Sequence, residues 1–260
     1  MRVHKTILCS LSALMILYLP SVGQDAVYVD HVEGQGYPGT IRAGVPIKFH
    51  IHFRVVTANV FAVDMAFRIW SPNDIMMEVP YMDTIPGLHK YWPNTVYPDC
   101  RPDCDGWRGD TLIFGALAHF TPGLPVGYDS LILTINTKVS ETYLGDTICL
   151  DSIWWDPSFW WEWVVNSPIW VIHPTWDGPH CFEIVPCCVG WRGNIDLDPN
   201  EQINIADLTY LIQWLFLGGP EPLCMLEADV NANGGTIGMP DLVYLVDYMF
   251  RGGPPPMGCP

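Results

Sequence analysis

The sequence predicts a multidomain chain: an all-β sandwich on the N-terminal side and a small α module of two loop–helix repeats behind it. Two observations predict this. Apolar residues alternate with period two through several short segments before Cys181, the pattern of strands with one packed face and one wet face. From residue 194 to residue 250, an acidic loop runs into an apolar helix twice. Expected boundaries are 1–23 for a signal segment, 24–186 for the sandwich and 187–260 for the helical module.

The chain opens with a basic start, Arg2 and Lys5, followed by an apolar run from Ile7 to Leu19. That run is too short to span a bilayer, and Ser21, Val22 and Gly23 suit a cleavage site. The expected location is secreted, extracellular or at a cell surface, with no membrane span. Export changes how the cysteines read. Setting Cys9 aside leaves Cys100, Cys104, Cys149, Cys181, Cys187, Cys188, Cys224 and Cys259, an even set that favours disulfides. Cys224 and Cys259, each just past a repeat, are expected to tie back to Cys187 and Cys188 or to each other. Cys100 and Cys104 read as a local loop staple, with a zinc site as the other possibility. With 12 basic and 28 acidic residues the formal net charge is −16, which argues against nucleic acid and anionic membrane as partners.

Three segments carry the strand prediction. Ile47, Phe49, Ile51, Phe53 and Val55 alternate with polar residues. Phe61, Val63, Met65, Phe67 and Ile69 form a second such row, and Leu131, Leu133, Ile135, Thr137 and Val139 a third. Shorter strands are expected at 112–117, 147–153 and 169–172. Many short strands punctuated by Gly and Pro indicate a sandwich. His50 and His52 share a strand face at metal-ligand spacing, but Lys48 and Arg54 flank them there, so the reading is a solvated polar face. Residues 71–110 show little periodicity and hold Tyr91, Trp92, Tyr97 and Trp107. A loop that long is usually functional or disordered. Its acids Asp99, Asp103, Asp105 and Asp110 could hold a further cation or simply line a pinned loop. The aromatic run from Trp154 to Trp163 is read as packing, with stacking on a sugar as the alternative.

In the tail, Asp207 maps to Asp241, Leu208 to Leu242, Tyr210 to Tyr244, Leu211 to Leu245 and Phe216 to Phe250, each pair 34 residues apart. A constant offset over this many positions is an internal repeat. Ca²⁺ takes six to eight oxygen ligands, and loops that bind it place side-chain oxygens at alternate residues before a closing carboxylate. Asp196, Asp198, Asn200, Gln202 (through its carbonyl), Asn204 (through a water) and Asp207 fit such a loop. Asp229, Asn231, Asn233 and Asp241 fit a second one with a residue inserted at Gly234 and Gly235. The first loop can also be read one ligand earlier, as Asn194, Asp196 and Asp198. Two Ca²⁺ ions are the expected cofactor. Leu208, Leu211, Leu215 and Phe216 read as core.

The tail resembles a type I dockerin module, the paired calcium loop–helix repeat of secreted bacterial proteins. The resemblance covers residues 190–260 and rests on the two loops, each followed by Asp-Leu-x-Tyr-Leu. Glu201 departs from it, standing where the family has Gly. The resemblance implies a cohesin-like protein module as partner, met through Ile205, Ala206, Tyr210, Trp214, Met239, Tyr244 and Tyr248. These positions do not carry the family's usual Ser-Thr and Lys-Arg pairs. The run from Arg42 to Phe49 looks like immunoglobulin-like or cohesin-like sandwiches. No hydrolase, metalloprotease or phosphate-loop motif occurs. The expected function is therefore a secreted, non-catalytic protein whose tail binds calcium and docks, with the sandwich as a binding or adhesion module. A carbohydrate-binding or glycoside hydrolase component, which would need two facing carboxylates, and a tail that only caps its own sandwich remain as alternatives.

Overall fold

The computed structural model describes residues 23–73, 75, 77–93, 96–101, 110–118, 121–153, 161–166 and 169–260. The expected signal segment up to residue 22, residues 102–109 with the side chains of Asp99, Cys100 and Asp110, and the aromatic residues 154–160 lie outside what is described, so the Cys100–Cys104 staple does too. The strands are β1 (Ala26–Glu33), β2 (Thr40–Arg42), β3 (Pro46–Arg54), β4 (Val60–Trp70), β5 (Tyr81–Thr84), β6 (Val96–Arg101), β7 (Asp110–Leu117), β8 (Asp129–Lys138), β9 (Thr147–Ser152), β10 (Glu162–Asn166), β11 (Ile169–Ile172), β12 (Thr175–Trp176) and β13 (His180–Val185). The helices are α1 (Ile205–Leu217), α2 (Met225–Ala228) and α3 (Met239–Arg251).

The strands form two sheets. One runs β12-β1-β3-β8-β5. The other runs β11-β10-β4-β9-β13-β2, with β7 and β6 added on the far side of β4. Their inner faces meet through large rings. Phe53 of β3 packs 6.1 Å from Phe114 of β7 and 5.1 Å from Trp163 of β10, and Phe49 lies 5.9 Å from Phe182 of β13. Ile47, Phe49, Ile51 and Phe53 are fully buried, as the alternation along β3 requires. No helix among the described residues is long and apolar enough to cross a membrane.

Two β-bulges depart from simple alternation. In β8, Ile51 pairs with Leu133 and His52 with Leu131, so Ile132 is the extra residue. Ile132 and Leu133 are then both buried, while Leu131 is only half-buried. In β1, Val29 pairs with Ile51 and His31 with His50, so Asp30 is extra. Asp30 and His31 consequently share the outward face, both exposed. The segment expected as a long loop is more ordered than its pattern suggests. It contributes β5 and β6, and Trp92 is buried with its indole N–H donating to the Val60 carbonyl at 3.3 Å. Trp161 and Trp163 are also buried, donating to the Pro174 carbonyl and to Met65 Sδ. For those two, packing is the observed role.

A separate small core lies in the tail. Ile195, Leu208, Leu211, Ala228, Val230, Ile237 and Leu245 are buried together, with Ile203 packed beside them. A third cluster joins the two parts. Val45 of the sandwich packs against Cys187, Cys188 and Cys224, with Leu197 and Cys259 beside them. The bonds Cys187–Cys224 and Cys188–Cys259 tie the tail to its own entry, and Cys149–Cys181 links β9 to β13.

Candidate metal loops and docking face

The two loops repeat one another down to their hydrogen bonds. In the second, Asn233 N–H donates to Asp229 Oδ1 at 3.1 Å and to Asn231 Oδ1 at 3.0 Å, and Gly235 N–H donates to Asn233 Oδ1. In the first, Asp198 N–H donates to Asn194 Oδ1 at 2.9 Å and to Asp196 Oδ1 at 3.1 Å, and Asn200 N–H donates to Asp198 Oδ1. The fourth place is left-handed in both, at Leu197 (φ 58°) and Ala232 (φ 53°). Asp207 Oδ1 accepts from Asp196 N–H just as Asp241 Oδ1 accepts from Asn231 N–H.

These equivalences correct the register favoured from sequence. Asn194, not Asp196, stands opposite Asp229; Asp196 stands opposite Asn231 and Asp198 opposite Asn233. Asn200 is exposed and enters the loop's hydrogen bonds only through its backbone N–H. Counted from the first place, the repeat offset is 35 in the loops and 34 in the helices, so the first loop carries one more residue than the second.

Each loop closes on the carboxylate that also caps the following helix. Asp207 Oδ2 accepts from Asn204 N–H at 2.8 Å, and Asp241 Oδ2 accepts from Gly238 N–H at 3.0 Å. Asn204 Oδ1 accepts from Ala206 N–H at the start of α1, the ordinary satisfaction of an orphan helix donor. Both carboxylates are buried. Burial, with the nearby Asp196 charge adding to it, pushes Asp207 up to about 6 against the pull of the backbone N–H groups it accepts from. A fixed cation would relieve that cost.

The loops differ in what neutralises them. Among the described residues no ion pair reaches Asp196, Asp198 or Asp207, so the first loop gathers three carboxylates and the Asn194 carbonyl without a cation of its own. Its all-oxygen set fits Ca²⁺. In the second, Arg192 Nη1 lies 2.5 Å from Asp229 Oδ2 and 3.1 Å from the Asp229 carbonyl. A guanidinium thus already holds the first carboxylate there, and the oxygen set is less charged.

No protein-family model matches the chain, and no curated protein matches it. Among solved structures, the chain is similar to the sixth cohesin of scaffoldin B from Acetivibrio cellulolyticus, determined in complex with a dockerin. The identity is 10% and the TM-score 0.41, over 63% of this chain and 99% of that one. It is also similar to a type I cohesin from Pseudobacteroides cellulosolvens, at 9% identity and TM-score 0.42 over 63% of this chain and 93% of that one. A non-cellulosomal cohesin from Archaeoglobus fulgidus is similar at 15% identity and TM-score 0.36, over 62% of this chain and 91% of that one. The sandwich itself stands on the strand pairing and ring contacts above.

The residues that the dockerin resemblance implies as partner contacts fall into two groups. Ile205, Ala206 and Met239, at the openings of α1 and α3, are exposed. Tyr210 and Tyr244 are half-buried against the tail core. Their hydroxyls donate to the carbonyls of Glu221 and Pro255, each 11 residues on, so they clip down the segment after each helix. Trp214 and Tyr248 are also half-buried. Phe216, expected in the core, is 55% exposed, and its repeat mate Phe250 is 63% exposed. At the helix exits Gly218 and Gly252 are left-handed. A Cβ on Gly219 or Gly253 would lie 2.9 Å from the backbone of Gln213 or Asp247. Both glycines of each Gly-Gly pair therefore have a structural reason.

Sequence reasoning missed the buried polar joint between tail and sandwich. Arg42 of β2 is fully buried. Its Nε donates to the Gln35 carbonyl, Nη1 to the Cys187 carbonyl and, at 3.4 Å, to Glu227, and Nη2 to Glu201. Glu227 is equally buried and accepts from Val189, Gly193 and Asn194 N–H. Burial raises it to about 7, with Arg42 and those N–H groups opposing. Glu201 is left-handed (φ 54°), and in the register beginning at Asn194 the place where the resemblance expects Gly falls at Pro199 instead. The Glu201 carboxylate takes both Arg42 and the Asn194 amide, contacts that offset a backbone cost of about 1 kcal/mol.

Proposed function

We propose that this chain is an exported, non-catalytic two-module protein. Its tail takes up two Ca²⁺ ions and docks onto a cohesin-like module of another protein, while the sandwich carries a binding or adhesive surface. Asn194, Asp196, Asp198 and Asp207 would hold one ion; Asp229, Asn231, Asn233 and Asp241 the other. The supporting observation is the near-twofold repetition itself. It extends to the loop hydrogen bonds and leaves Ile205-Ala206 and Met239-Pro240 exposed at equivalent places, so a partner could meet either of two similar faces. Metal uptake and local folding are coupled, because clustered carboxylates repel until an ion arrives.

A second reading, in which the tail caps its own sandwich, is favoured by Arg42 and by the cluster around Val45. The two readings are compatible, since the joint uses Glu201 and Glu227 and leaves the helix openings free. The glycoside hydrolase alternative draws no support from Asp64 and Glu162. The two are direct cross-strand neighbours on one sheet and do not face each other across a cleft. Retention of the mature protein on immobilised cohesin modules, with Ca²⁺ and with chelator, tests docking. The expected result is retention that needs Ca²⁺ and is lost when Ile205→Lys and Met239→Lys are combined. Failure on every module, with the calcium sites filled, would leave the cap reading.

A further inference from the structure

The outer face of the five-stranded sheet carries a second cluster that the loops do not use. The bulge in β1 turns Asp30 and His31 to the same side, with His31 opposite His50 of β3 and Asp30 Oδ2 3.8 Å from His52 Nε2. His31 and His50 stack with ring centres 4.0 Å apart and planes 13° from parallel. One ligand atom from each of His31, Glu33 and His50 lies within 4.8 Å of the other two.

We propose that His31, His50 and Glu33 form a surface site for a divalent transition metal ion of the zinc class. Three features beyond proximity support it. First, both imidazoles are oriented from behind. His31 Nδ1 is 2.8 Å from Asp30 Oδ2, and His50 Nδ1 is 3.4 Å from Thr134 Oγ1, which leaves Nε2 of each for a ligand bond. A carboxylate behind a ligating imidazole, as Asp30 stands behind His31, is a usual outer partner of zinc histidines. Second, Glu33 divides its oxygens. Oε1 is 3.0 Å from His50 Nε2, while Oε2 is held by Lys48 Nζ at 2.6 Å. Third, of the two cations that argue against a site on β3 alone, Arg54 is engaged elsewhere, on Asp129 at 2.8 Å, while Lys48 stays on the far oxygen of Glu33.

Two imidazoles and one carboxylate oxygen suit Zn²⁺ and leave a fourth position for water or for a partner's side chain. Ca²⁺ prefers oxygen alone, so this site and the tail loops select different ions. Ion binding exchanges the ring stack for two ligand bonds, and the exposure of His31 and Glu33 leaves the rings room to open.

The test is calorimetric Zn²⁺ titration of the oxidised mature protein held in saturating Ca²⁺, so that the loops are filled. One Zn²⁺ is expected. His31→Gln and His50→Gln should each weaken it by more than the roughly 10–100-fold that loss of an outer partner costs, and Asp30→Asn by an amount within that range. Thermal melting curves of His31→Gln and Asp30→Asn should be unchanged, since both residues are exposed. No Zn²⁺ uptake, or an affinity indifferent to both histidine substitutions, would overturn the proposal.

Discussion

Arg42 shows how much one residue can carry. A guanidinium with no solvent contact is tolerated only when its donors are matched, and here they meet two carbonyls and two carboxylates. Arg42→Leu would leave Glu227 buried without its cation, and the expected loss is about 3–5 kcal/mol, read as a lower urea midpoint. Arg42→Lys keeps the charge but not the planar fork and should fall between. A loss below about 1 kcal/mol would mean that the joint is solvated, as exposed pairs are. None of this was legible in the sequence. Arg42 sits in a short stretch ahead of a strand, and all its partners but the Gln35 carbonyl lie more than 140 residues away.

At the scale of elements, legibility followed local pattern. β3 and β4 were readable because their alternation is unbroken. The row along β8 was readable as a strand, but its bulge shifts which residues are buried. β1 was hidden because the extra Asp30 breaks its period. β5 and β6 were hidden because their strands are short and rich in polar residues. The tail repeat was readable from its helices, and reading from them favours the register that begins at Asp196. Anchoring on Asp207 and Asp241 fixes an offset of 34, whereas the loop starts, Asn194 and Asp229, differ by 35. Comparing Asn194-x-Asp196-x-Asp198 with Asp229-x-Asn231-x-Asn233 would have found it. The two registers make opposite predictions. Asn194→Ala should weaken Ca²⁺ binding at the first loop at least tenfold, and Asn200→Ala should leave it nearly unchanged. Calorimetry on the two variants decides between them, and the reverse order would restore the register beginning at Asp196.

Over the whole molecule, the large core of the sandwich and the small core of the tail are joined by one compact seam of cysteines, Val45 and Arg42. The bonds Cys187–Cys224 and Cys188–Cys259 close loops of 37 and 71 residues by sequence separation. Chain entropy assigns each about 4 kcal/mol, a large share for a tail whose core is so small. The disulfides tie the helices back to the entry of the tail, and the loops are the part that an ion would complete. The net charge of −16 fits this division, since some of that charge is gathered where a metal would offset it. The most direct measurement is a calorimetric Ca²⁺ titration of the oxidised mature protein beside Asp207→Asn and Asp241→Asn. The account predicts two ions, the tighter one lost with Asp207→Asn and the weaker one with Asp241→Asn. No uptake, or uptake untouched by either substitution, would contradict it and leave the tail a disulfide-held helical pair.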